Sequence, residues 1–76
     1  MFITITVKTG EHAADIRIDS EQKVGMGLQV LRESGKIPFG DAPAYFRSKQ
    51  SEELVSAYKT FQDESIYDGD MLIAIV

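Results

Sequence analysis

At the start of the chain Ile3, Ile5 and Val7 alternate with Thr4, Thr6 and Lys8. A period of two sends each set to its own face of a pleated strand, and β-branched residues suit that surface. "MFITITVK" therefore predicts a strand. The alternation breaks at "TGEH", where Gly10 can take positive φ. It resumes over "AADIRID", with Ile16 and Ile18 to one side and Asp15, Arg17 and Asp19 to the other. Two alternating runs across a short glycine turn predict an antiparallel hairpin.

The period then changes. In "SEQKVGMGLQVLRESG", Val24, Leu28 and Leu31 recur at i, i+4 and i+7, a one-sided helical stripe with Lys23, Arg32 and Glu33 elsewhere. Asp19 or Ser20 is placed to cap this helix, with Glu21 near its positive end. Gly35 falls where a left-handed residue ends a helix, and Pro38 blocks continuation. Gly25 and Gly27 each cost about 1 kcal/mol relative to Ala in a helix interior. The helix must then rely on packing across the hairpin, or two backbones must approach closely there.

"AYFRS" and "ELVSAY" predict two shorter strands around the polar stretch "KQSEE". The compact loop "TFQDESIYDGD" carries two apolar plugs, Phe61 and Ile66, and leads into a last strand over "MLIAIV". The expected fold is an α+β roll, one helix across a mixed sheet of four to five strands.

Composition narrows the function classes. Seventy-six residues, 43% of them apolar, predict one domain over 1–76, with a compact core and little room for a deep cavity. A domain of this size buries only about 60% of the surface its unfolded chain exposes. The absence of cysteine excludes disulfides, thiolate-held zinc and thiol catalysis and fits a reducing cytoplasm. "MLIAIV" is too short to span a bilayer, and no signal-peptide pattern opens the sequence, so no membrane insertion is expected. The net charge is −4, and the eight Lys and Arg are scattered singly, which makes nucleic acid a poor partner.

Each candidate for chemistry has a plainer explanation. His12, the single histidine, sits in a hairpin turn with only Glu11 beside it. "DGD" at 68–70, with Asp63 and Glu64 near, lacks the twelve-residue ligand spacing of a calcium loop. Aspartates at a turn satisfy local backbone donors instead. "GMG" at 25–27 fails as a dinucleotide fingerprint, because Val30 stands at the third glycine position and no strand leads straight into it. The expectation is a non-enzyme without cofactor or metal.

The element order, the "ESGKIP" helix exit and "TFQDESIYDGDMLIAI" resemble the ubiquitin-like β-grasp fold, with its ββαββ order. The pattern Ile66, Gly69, Asp70, Leu72 recurs across its branches. The resemblance implies that Phe61, loop Asp63 and Ile66 pin the segment before the last strand, with Leu72 its first inward residue. It also implies that the first and last strands run parallel at the sheet centre, so that Ile3, Ile5 and Val7 neighbour Leu72 and Ala74. Leu54 to Ile75 is similar to the bacterial YukD/EsaB proteins, stand-alone ubiquitin-like components of Gram-positive type VII secretion systems.

That family ends without a diglycine tail, and here the sequence ends Ala74-Ile75-Val76 with its last glycine at Gly69. Adenylation and conjugation are therefore not expected. What remains is surface. Alternation puts Leu72, Ala74 and Val76 on the core face of the last strand and Met71, Ile73 and Ile75 on the outer face. In ubiquitin-like domains that face binds partners. Whichever of Tyr45 and Phe46 points outward would join it. Long neighbours such as Lys8, Arg17 and Arg47 could instead shield it. The favoured reading is a cytoplasmic adaptor or regulator that contacts a type VII secretion machine, or a second copy of itself. The alternatives are a ubiquitin-like modifier or sulfur carrier, and an unrelated β-grasp module such as a subunit of an oxygenase or toxin system.

Overall fold

The computed structural model describes residues 1–35 and 45–75. Strands β1 (Phe2–Thr9) and β2 (His12–Asp19) form the hairpin, followed by helix α1 (Val24–Glu33). Three shorter strands complete the fold: β3 (Tyr45–Ser48), β4 (Leu54–Ser56) and β5 (Met71–Ala74). They make one five-stranded sheet in the order β2-β1-β5-β3-β4. β5 runs parallel to β1 and antiparallel to β3, so the sheet is mixed. This is the ubiquitin-like β-grasp architecture, with the short β4 added to the ββαββ order.

The core forms where the inward sets of strand residues meet the helical stripe. Ile3, Ile5 and Val7 of β1, Ile16 and Ile18 of β2, Phe46, Val55 and Leu72 face Val24, Leu28 and Leu31, and Phe61 and Ile66 close the open end. The expected stripe and both loop plugs are thus core. Burying a Leu, Ile or Phe side chain contributes about 1.5–3 kcal/mol each. Pro38 and Val76, read as helix stop and inward strand residue, lie outside the described residues.

Four expectations need correction. The helix begins at Val24, not near Asp19 or Ser20: Lys23 is its N-cap, with extended backbone and no capping side chain, and no acid lies in the first turn. The free N–H groups of the first turn find backbone carbonyls instead. Val24 donates to Lys59 O and Gly25 to Ala57 O, both at 2.9 Å. A loop from elsewhere in the sequence thus does the work of a side-chain cap. Asp19 holds a local turn, accepting the Glu21 N–H at 3.0 Å.

The first-to-last strand register is also shorter than expected. Val7 stands opposite Leu72, but β1 meets β5 only over Thr6–Lys8, so Ile3 and Ile5 have no β5 residue beside them. Third, β4 stops at Ser56, and Ala57 and Tyr58 of "ELVSAY" lie in a turn. The last correction concerns Asp63, which is exposed and offers only its N–H to Thr60 Oγ1 at 2.9 Å. The adjacent Glu64 pins the loop, accepting the Ser56 N–H on Oε2 at 3.0 Å.

The two helix glycines are explained by close approach. A Cβ on Gly25 would lie 3.0 Å from Ala57 O, and one on Gly27 would lie 3.0 Å from Phe61 Cζ and 3.2 Å from Ile18 Cδ1. At the other end Gly35, at φ +74°, donates its N–H to Arg32 O. Positive φ there costs a glycine little.

Candidate interaction surface

β5 is the element on which the outer face is built. Leu72 is fully buried toward the helix, so its neighbours Met71 and Ile73 point away from it. Both are half-buried, while Ile75 is 41% exposed. On β3 the expected choice between two aromatics is resolved: Phe46 is core and Tyr45 is outward and 53% exposed. The Ile75 N–H bonds to Tyr45 O at 3.2 Å, which sets these two side chains side by side. The fold therefore brings Met71, Ile73, Ile75 and Tyr45 onto one sheet face.

The register shows what surrounds them. Ile73 stands opposite Lys8 on β1 and Arg47 on β3. Arg47 in turn faces Leu54 on β4, which is 56% exposed. The Lys49 N–H bonds Met71 O at 2.9 Å, placing a third cation at the strand end. Adjacent strands lie about 4.8 Å apart, so Lys8 and Arg47 flank Ile73 at about 10 Å from each other. Among the described residues the sole ion pair is the Met1 ammonium with Asp19, so none of these cations is neutralised there. Arg47 Nη1 donates to Glu52 O at 2.8 Å, which fixes the guanidinium without cancelling its charge. The face is an apolar strip edged by positive charge, on a chain whose net charge is −4.

The loop before β5 holds this strand in place. Asp68 Oδ1 accepts the Thr4 N–H at 2.7 Å and the Gly69 N–H bonds Thr4 O at 2.8 Å. Together they stand in for the strand partner that β1 lacks below Thr6. Asp70 is 1% exposed. Its Oδ2 accepts Ser48 Oγ at 2.6 Å, and its Oδ1 accepts the N–H groups of Met71 at 2.7 Å and Gln50 at 3.2 Å. Both "DGD" carboxylates are thus engaged by protein donors, and no group of three metal-ligating side chains occurs among the described residues. His12 is exposed where β2 begins.

Sequence reading missed two features of this surface. Leu54, predicted only as part of a strand, alternates with the buried Val55 and so points outward. Two of the long neighbours that could shield the face do flank it: pairing sets Lys8 and Arg47 on either side of Ile73 as a charged border, which only the register reveals.

The Asp19 carboxyl is held below the ordinary aspartate value. The Glu21 N–H is the main cause and the Met1 ammonium the next.

No family model matches the chain, and no curated protein matches it in sequence. Solved structures do match. The C-terminal ubiquitin-like domain of mouse tubulin-specific chaperone e superposes with a TM-score of 0.66 at 15% identity, over 96% of this chain and 84% of that one. Ubiquitin from Caldiarchaeum subterraneum gives 0.62 at 16% identity, over 100% and 96%. The EccD5 ubiquitin-like domain from Mycobacterium xenopi gives 0.60 at 17% identity, over 99% and 93%. At these identities the likeness defines the fold: the chain is a ubiquitin-like domain in architecture. Among the described residues no helix is long and apolar enough to cross a membrane.

Proposed function

We propose that this chain is a non-enzymatic, ubiquitin-like accessory or regulatory component of a type VII secretion system, acting in the cytoplasm by protein contact and not as a conjugated tag. The observation that carries the contact mechanism is the outer sheet face. Ile73, Ile75, Tyr45 and Leu54 offer apolar area where a sheet face open to water is ordinarily polar. Contiguous exposed apolar area marks interaction sites. Lys8, Arg47 and Lys49 around it select a partner surface with apolar side chains and acidic neighbours, since complementary charge sets orientation and encounter rate. The secretion assignment is supported by the resemblance of Leu54–Ile75 to the YukD/EsaB proteins. The EccD5 ubiquitin-like domain from Mycobacterium xenopi shares this fold.

The test is a binding titration of the purified protein against the cytoplasmic domains of the secretion machine from the same genome, repeated at several salt concentrations. Saturable binding that weakens as salt rises supports the reading, because exposed charges are screened beyond about 8–10 Å. A modifier or sulfur carrier would instead yield an acyl-adenylate with an activating enzyme and ATP. Detection of that species by mass spectrometry, with no binding to the machine, defeats the proposal.

A further inference from the structure

β2 is an edge strand: among the described residues it pairs with β1 alone. The Ser20 N–H bonds Met1 O at 2.8 Å, which fixes the alternation of the ladder. Residues at even positions direct their backbone groups to β1, and those of Ala13, Asp15 and Arg17 point to the open edge. An eight-residue strand with a free edge is a template for another strand. Beside it, Met26 and Val30 of α1 are 46% and 50% exposed and line a shallow concavity that reaches Ile18.

We propose that this edge pairs antiparallel with the β2 edge of a second copy, about a two-fold axis through Ile16. This inference is independent of the secretion reading, since it concerns a different edge and a different occupant.

Charge selects both the occupant and the register. Asp15 and Arg17 lie on the outer face, each held there by a neighbour on β1. Thr6 Oγ1 donates to Asp15 Oδ1 at 2.6 Å, and the Arg17 guanidinium sits 5.1 Å from the centre of the Phe2 ring. With the axis at Ile16, Asp15 of each copy stands opposite Arg17 of the other, so the contact contains the same opposite-charge pair twice. Such a self-complementary patch is what a two-fold interface requires. The neighbouring registers that keep the edge hydrogen bonds are disfavoured. One sets Asp15 against its own copy, and the other sets Arg17 against its own copy and Asp15 against Asp19. Like charges directly opposite destabilise a strand pair. The same pairing places Ile16 beside its copy on the helix side, and the seam runs along the concavity flanked by Met26 and Val30. Among these three adjacent registers, charge thus favours the one centred on Ile16.

The experiment is sedimentation equilibrium of the native chain up to about 1 mM, a range that reaches weak association. It is run alongside Asp15→Arg, Arg17→Asp and the double exchange D15R/R17D, each checked for cooperative unfolding. The native chain should show a monomer–dimer equilibrium. Each single reversal should weaken it at least about tenfold, because two like-charge pairs replace two opposite ones. The double exchange should restore it. Amide exchange at Ala13, Asp15 and Arg17 should slow as concentration rises. A native chain that stays monomeric at 1 mM overturns the proposal. So does a folded double exchange that fails to re-associate, or single reversals that dimerise like the native chain.

Discussion

Ser48 Oγ donates to Asp70 Oδ2 at 2.6 Å in the protein interior, tying the end of β3 to the residue just before β5. The same carboxylate takes two backbone N–H groups on its other oxygen, from Gln50 and Met71. One buried acid therefore fixes the β3–β4 turn and the entry to the strand on which the outer face is built.

Replacing Asp70 by Ala leaves three donors without their acceptor, one buried and two partly buried, and a fully buried unsatisfied group costs about 1–3 kcal/mol. Asp70→Ala should destabilise by roughly 3 kcal/mol or more in urea unfolding. Asp70→Asn should cost less, because its Oδ1 still accepts from the backbone and its amide can donate to the Ser48 hydroxyl. Equal losses for the two substitutions would show that the network carries no weight.

Much of the fold was legible because it depends on local periodicity. The hairpin, the Val24/Leu28/Leu31 stripe and the inward Leu72 each follow from which face a residue takes. What escaped depends on partners distant in sequence. The cap at Val24 comes from carbonyls at 57–59, and Asp70 reaches Ser48, twenty-two positions away. A turn-forming "DGD" looks the same whether its acids bind neighbours or a remote strand. Likewise Met71, Ile73, Ile75 and Tyr45 could be read as one face, but their charged border could not. The pairing of Lys8 and Arg47 with Ile73 is a matter of register.

Truncation of the core gives the simplest check on packing. Leu28 and Leu72 are 1% and 0% exposed. Leu28→Ala and Leu72→Ala should each lower stability by about 2–5 kcal/mol. A negligible change in the denaturation midpoint for either would remove that residue from the core.

Gly25 sets two opposing effects against each other. Alanine gains about 1 kcal/mol of helix propensity. Its Cβ would sit 3.0 Å from Ala57 O, a backbone atom held in place by the Gly25 N–H itself. Overpacking against a fixed neighbour costs about 1–3 kcal/mol. Gly25→Ala should therefore be net destabilising, and a raised melting temperature would contradict the close approach.

Acid titration isolates the Asp19 turn. A carboxyl held below its ordinary pKa contributes stability above that ordinary value, and the contribution is lost as pH falls through the lowered one. The stability difference between the native chain and Asp19→Asn should be constant from pH 7 to about 5 and should close below about pH 4. A difference that grows on acidification would reverse the assigned sign.

The central claim, that function lies in contact through the outer sheet face, is tested most directly at Ile73. An aspartate there stands between Lys8 and Arg47, where cross-strand opposite charges are tolerated or favourable, so Ile73→Asp should fold. In a complex the same charge would be desolvated at the centre of an apolar contact, which is strongly unfavourable. The measurement pairs the melting temperature of Ile73→Asp with its affinity for the cytoplasmic secretion components that bind the native chain. Near-native melting with loss of binding is expected. A folded Ile73→Asp protein that binds as tightly as the native chain would contradict it.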